Sequence, residues 1–214
     1  MSNDFMQDGT KTPRRAPGRP RSFDEAEVLE RVRRVFLEKG FSATSLDDLA
    51  KAAGLNRPSL YAAFGNKEEL YLKVIAAHGR QTAAAIDKIM AADQPLDQRL
   101  AKLFRVTVAA YTAPPRPQGC MIVGTASAEA PTHPAIGRAG AAFFAGNEAA
   151  LERAFARAVD AGEITAEPTP AARARLCGAF LDTLAVRARL GATVEELTTF
   201  ALSVVPLLRA PAPA

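Results

Sequence analysis

Apolar residues recur at helical spacing along almost the whole chain, and short polar clusters punctuate them. After Ser22 they fall at Val28, Leu29, Val32, Val35 and Phe36, the rhythm of one helix face. Ser22 and Glu25 stand before them as S-x-x-E, a capping box, and Gly40 supplies the left-handed stop. A second helix is expected from a Thr44 or Ser45 cap, with Asp47 and Asp48 in its first turn, Leu46, Leu49, Ala50 and Ala53 on its apolar face, and Gly54 behind it. Asn56 can cap a third, short helix that carries Pro58 in its first turn, where a missing N–H costs little. Asn66 with Glu69 opens a fourth that runs to about Met90.

The second part of the chain repeats the pattern with proline and glycine breaks. A fifth helix follows Asp93-Gln94-Pro95, with Leu96, Leu100, Leu103, Phe104, Thr107, Val108 and Tyr111 as its stripe. Pro114, Pro115 and Pro117 break the chain. A short, largely buried helix is expected over 119–130 and a long one over 135–161, with Ile136, Phe143, Phe144, Leu151 and Phe155 inward. Two last helices, about 170–190 and 193–208, are split by Gly191. The pattern predicts an all-α chain of about nine helices, with no convincing strand and no internal repeat.

Composition supports this and removes several classes. Alanine, the best helix former, fills 45 of 214 positions, and Trp is absent. No apolar run reaches the ~18–20 residues of a membrane span, and Met1 to Thr10 has no apolar core of a secretory signal, so a cytoplasmic protein without membrane association is expected. Cys120 and Cys177 form neither a disulfide framework nor a CxxC pair. Two histidines, His78 and His133, cannot build a multi-histidine metal site; no metal and no cofactor are expected. His78 reads as a solvated or satisfied residue of the fourth helix, and His133 as a turn residue.

Net charge is +4 and unevenly placed. Residues 1–80 carry 14 Lys/Arg against 11 Asp/Glu, and residues 81–214 carry 13 against 12. Lys11, Arg14, Arg15, Arg19 and Arg21 make a basic arm with no acid among them, and Pro13, Pro17 and Pro20 hold it extended. Such an arm is either a solvated tail that meets phosphates loosely or a strap for a narrow A·T-rich minor groove.

The stretch from Thr44 to Phe64 is helix, three-residue turn, short helix, the spacing of a helix-turn-helix. Ala50 and Ala53 are small where the helices cross, and Gly54 suits the turn. The second helix would enter the major groove by its N-terminal end, bringing Asn56, Arg57, Pro58, Ser59 and Tyr61 to the bases. Arg57 can fork onto guanine O6 and N7 or hold a phosphate. Ser59 and Tyr61 can donate to phosphates or bases. Thr44 and Lys67 lie near helix N-termini, which favour phosphate. A plain helical hairpin with a polar surface has the same spacing.

The residues themselves are familiar. GLNRPSLYAAFGNKEELYLKVI resembles the signature of TetR-family transcriptional regulators, and FDEAEVLERVRRVFLEKGFSATSLDDLAKAAG is similar to that family's first two helices. The resemblance covers about residues 22–75. It implies a three-helix DNA-binding domain over 22–66 behind a disordered basic arm (1–21), and a helical effector-binding and dimerisation domain over 67–209 with a flexible tail (210–214). By analogy Thr44, Asn56, Arg57, Ser59, Tyr61 and Lys67 occupy frequent DNA-contact positions, and Arg19 and Arg21 of the basic arm complete the candidate DNA-binding set. Ala62 and Ala63 depart from the pattern: many members carry an aromatic residue or His there.

The resemblance further implies a homodimer on a double-stranded, pseudo-palindromic operator, with the last two helices of each chain forming a four-helix bundle; Leu176, Leu184, Leu197, Phe200, Val204 and Leu208 are its candidate residues. The same faces could equally be intramolecular core. RPQGCMIVGTASAEAP and the helix after it look like the ligand domain of one subgroup. Candidates for a small hydrophobic or aromatic effector are Phe104, Val108, Tyr111, Cys120, Val123, Phe143, Phe144, Asn147, Phe180 and Arg187, each of which could also be ordinary packing. A ligand-released repressor, not an enzyme, is the expectation. The chain has no P-loop, GxSxG or HExxH. Two alternatives stand beside it: a dimeric interaction protein with weakened DNA binding, and a thiol sensor built on Cys120, near a helix start that could lower its pKa.

Overall fold

The computed structural model describes residues 23–113 and 118–209. The arm 1–21 with Arg19 and Arg21, the expected cap Ser22, residues 114–117 and the tail 210–214 lie outside them. The described residues are helical throughout, with no strand. No helix among them is long and apolar enough to cross a membrane.

Helices α1 (Glu25–Lys39), α2 (Leu46–Ala53) and α3 (Arg57–Phe64) form the N-terminal unit, and α4 (Lys67–Met90) leads out of it. Side-chain caps set these starts. Asp24 caps α1, accepting from Ala26 N at 2.8 Å. Ser45 and Asp48 form the capping box of α2, and Asn66 and Glu69 that of α4. Asn56 caps α3 through Ser59 N at 2.8 Å. Gly54 holds φ +68°, the left-handed value a side chain resists.

Helix α5 (Leu96–Tyr111) is followed by a π-helical turn (Ile122–Ala126) that passes directly into the single turn α6 (Ser127–Glu129). The helix expected over 119–130 is therefore wider than α for much of its length. Gly119 precedes it at φ +66°, where a Cβ would collide with the Ala185 carbonyl oxygen. Then come α7 (Pro134–Asp160), α8 (Pro170–Arg189), α9 (Val194–Ser203) and α10 (Val205–Arg209). The single helix expected over 193–208 is two, because Pro206 has no N–H for the Leu202 carbonyl and its ring crowds that residue.

Two apolar clusters share α4. Leu70, Tyr71, Val74 and Ile75 join the core of α1–α3, together with Cys120, Met121, Ile122, Ala126, Ile136 and Phe143. Ile86 and Met90 join the core of α5, α7, α8, α9 and α10. Buried arginines tie carbonyl-rich ends together. Arg173 donates to the carbonyls of Leu208, Thr165, Glu167 and Pro168, pinning the start of α8 to the end of α10. Arg99 donates to the Met90 carbonyl at 2.9 Å and pairs with Glu163.

Candidate DNA interface and effector cavity

Ala50 and Ala53 of α2 are buried in the cluster that also holds Leu60 and Phe64 of α3. Leu60 and Phe64 turn α3's apolar side inward, leaving Arg57, Pro58, Ser59, Tyr61 and Ala62 exposed on the other side. Three of the expected contact residues thus share one free surface: Arg57, Ser59 and Tyr61. Arg57 is not idle there, since its guanidinium forks onto the Asp47 carboxylate, with Nε 2.5 Å from Oδ1. An exposed pair of this kind is weak and screened by salt, so a phosphate or a guanine edge can compete for it.

The other members are placed differently. Thr44 is 2% exposed and its hydroxyl donates to the Gly40 carbonyl at 2.5 Å. Lys67 donates from Nζ to the carbonyls of Phe41 and Thr44, at 3.0 and 3.1 Å, and lies over the Phe41 ring. Both fasten the 40–45 loop that leads into α2. Asn56 spends its side-chain oxygen on the α3 cap.

That loop is also held from the second unit. Glu129 of α6 accepts from the Ser42 amide at 3.2 Å and its hydroxyl at 2.9 Å. His133, at the start of α7, packs its ring on Phe41. Behind them Tyr71 donates to the Thr125 hydroxyl, which in turn donates to the Met121 carbonyl. The π-helical turn and α6 thus form a clamp on the helix-turn-helix.

Beside the clamp is a cavity of about 300 Å³ between α4, α5, α7 and α8. Of the expected effector residues, Tyr111, Cys120, Phe143, Phe144 and Asn147 line it. Phe104, Val108, Val123, Phe180 and Arg187 do not. Phe104 and Val108 lie in the core shared with α9, because the α5 stripe facing the cavity is Leu103, Val106, Thr107, Ala110 and Tyr111, rotated from the one expected. Val123 packs into the other cluster. Phe180 and Arg187 meet Phe200 on the far side of α8, with ring centres 5.5 Å apart and the guanidinium 4.4 Å from the ring. Leu184, Leu197, Val204 and Leu208 are also corrected: they are buried within one chain and offer nothing to a partner. Leu176 is exposed and Phe200 half-buried.

The cavity contains residues that the sequence pattern passed over. His78, Gln81, Thr82, Ala85, Ile86 and Ile89 make one stripe of α4 along it, a helical spacing that places His78 and Thr82 on an inward face. His78 stacks on Phe143 at 5.7 Å, and burial, helped by Arg33, pushes its pKa down to about 4, so it is neutral at pH 7. Asp182 is pushed up to about 6 by burial and by the charge of Glu148. Burial likewise raises the Cys120 thiol and the Tyr111 phenol. Glu30 and Arg33 of α1 complete the wall, paired at 2.7 and 2.9 Å. Nothing local marks them, since only the packing of α1 on α4 brings them there.

A helix-turn-helix clamped to a helical unit with an internal cavity defines a two-part, one-component DNA-binding regulator. The sequence model for bacterial regulatory proteins of the tetR family matches residues 28–74, and that for the tetracyclin repressor-like C-terminal domain matches residues 97–203. The chain belongs to the TetR family of DNA-binding transcriptional regulators. It is 27% identical over 195 residues to the transcriptional repressor ComR of Escherichia coli, covering 91% of this chain and 93% of that one. It is 33% identical over 156 residues to the regulator YezE of Bacillus subtilis, covering 71% and 78%. Among solved structures, a cysteine mutant of the TetR-family regulator CifR, complexed with 26bp operator DNA, aligns with a TM-score of 0.75 at 30% identity, covering 91% of this chain and all of that one.

Proposed function

We propose that the protein is a homodimeric repressor, released from a pseudo-palindromic operator when a small hydrophobic or aromatic molecule fills the cavity between α4, α5, α7 and α8. One observation carries this reading. The cavity wall includes Glu30 and Arg33, which belong to α1 of the DNA-binding unit. A molecule entering between Arg33 and Phe143 pushes on α1 directly, and on α4 through His78. An effector shifts DNA affinity only if it binds the two arrangements differently, and a cavity bounded by both units supports that reading, since moving one unit against the other changes its shape. The ComR relative is named a repressor, which favours repression here.

Dimerisation is assigned to the outer face of α8 and the start of α9. Leu176, Leu190 and Val194 are 42, 81 and 56% exposed, with Phe180, Thr183 and Arg187 between the two leucines on α8. Leu176, Phe180, Thr183 and Arg187 fall at helical spacing on α8, Leu190 caps it and Val194 opens α9, together a partly apolar face that a second copy would cover. The thiol-sensing alternative is disfavoured, because a reactive cysteine needs thiolate and burial raises the Cys120 pKa.

The test is a screen of small aromatic compounds by thermal stabilisation, followed by competition against a labelled DNA fragment from beside the protein's own gene. Compounds that stabilise the protein are expected to weaken its hold on DNA. Stabilisers that leave DNA affinity untouched would contradict the reading.

A further inference from the structure

The cavity has a chemical polarity beyond its aromatic lining. Three oxygen acceptors stand on one wall. Asn147 Oδ1 is buried without a hydrogen-bond partner. Glu148, its neighbour on α7, and Asp182 on α8 line the same space. Gly178 of α8 lines it beside them. Among the described residues neither carboxylate has an ion-pair partner, and the charge that Asp182 feels is that of Glu148, a like charge.

The other charged groups of the wall do not answer them. Arg33 is spent on Glu30 in a two-point pair, and Glu30 also accepts from Arg34 at 3.2 Å. His78 is neutral at pH 7. Gln81, Thr82 and Thr107 carry no charge. The rings of Tyr111, Phe143 and Phe144 line the same cavity, Phe143 and Phe144 one turn before Asn147 and Glu148 on α7. Half-buried carboxylates without a counter-charge are costly, and a ligand that brings a cation relieves that cost. Aromatic faces attract the same cation.

We infer that the effector is an aromatic or amphipathic amine, whose protonated nitrogen meets Asp182, Glu148 and Asn147 while its apolar part lies among Tyr111, Phe143 and Phe144. This rests on the cavity being the effector site. A neutral hydrophobe would fill the same space and leave all three acceptors unanswered. An anion would meet two like charges.

Three probes of one shape separate these cases: 4-phenylbutylamine, 4-phenylbutan-1-ol and 4-phenylbutyrate, titrated calorimetrically into the full chain at pH 7.5. The amine is expected to bind about tenfold or more tighter than the alcohol, and the acid weakest. In the double variant Asp182→Asn with Glu148→Gln, the amine is expected to fall to the alcohol's affinity, with the alcohol unchanged. Thermal melts report whether that variant is folded. Alcohol or acid binding as tightly as the amine, or amine binding indifferent to the double variant, overturns the inference while leaving the cavity as effector site. Amine binding that persists when Thr107→Trp fills the cavity places the amine elsewhere and overturns it too. Binding by none of the three removes the cavity reading and this inference together.

Discussion

We propose that Arg57 is the side chain on which sequence reading by α3 depends most. Replacing it with alanine leaves Asp47 unpaired on the surface proposed to face DNA, so the variant loses an attraction and exposes a repulsion. Arg57→Ala is expected to cost about 1–3 kcal/mol on the operator and less on scrambled DNA, measured by fluorescence anisotropy on both. Asp47→Asn is expected to tighten binding to both sequences by similar factors, since it removes a charge without removing a donor. His78 and Asp182 set opposite pH dependences in the window between about 4 and 6.5. His78 has a depressed folded pKa, so the unfolded chain binds more protons and stability is lost as pH falls through 6.5 toward 4. Asp182 has a raised folded pKa, so its contribution is present at low pH and is lost as pH rises through about 6. His78→Gln is therefore expected to flatten the acid side of a Tm-against-pH curve, and Asp182→Asn to raise Tm at pH 7.5 relative to pH 4.5. The exposed trio Arg57, Ser59 and Tyr61 was legible through the family resemblance and not through helix phase, since Arg57 and Tyr61 share the i, i+3, i+4, i+7 stripe with Leu60 and Phe64. The buried state of Thr44 and the carbonyl-capping role of Lys67 were not, because both depend on how the 40–45 loop folds back.

At the scale of elements, caps and breakers explain why helix boundaries could be read so closely. Ser45–Asp48, Asn56–Ser59 and Asn66–Glu69 all form where S/N-x-x-polar spacing places them. The misses have equally local causes. Pro206 divides the last helix, and the segment after Gly119 widens into a π-helical turn where it packs on α8 and α7, a tertiary setting with no period of its own. That turn carries the link between the two units. Tyr71→Phe is expected to destabilise the fold by only about 0.5–1.5 kcal/mol, because Thr125 keeps its bond to Met121; chemical denaturation checks this. Removing the clamp at the loop, with Ser42→Ala and Glu129→Gln together, is expected to leave effector binding intact and to reduce the drop in DNA affinity that the effector causes. An undiminished drop would locate the coupling elsewhere, on α1 and α4 alone.

At the scale of the whole molecule, the two apolar clusters meet along α4, so neither unit can move far without the other. The division near residue 66 that the sequence suggests is a change of role more than a gap in packing. Half of the expected effector residues lie on the cavity. The rest were displaced by one helix position on α5, or by facing the outer side of α8, because a stripe seven residues wide has two edges and the sequence does not say which neighbour each edge meets. The same ambiguity sent core residues such as Leu184 and Leu197 into the expected dimer face. The exposed stripe of α8 gives its own prediction: Leu176→Glu with Leu190→Glu is expected to yield a folded monomer by light scattering, with operator affinity at least about tenfold lower, since a two-fold site then loses one of its two readers.

The link between cavity and DNA is tested most directly without knowing the effector. Thr107→Trp places a ring inside the space between α4, α5, α7 and α8, and the affinity of this variant for DNA from beside its own gene is compared with that of the original chain at two salt concentrations. A folded variant with operator affinity reduced about five- to a hundredfold, and with its affinity for unrelated DNA little changed, is the predicted result. A folded variant that binds the operator as tightly as the original chain would contradict it.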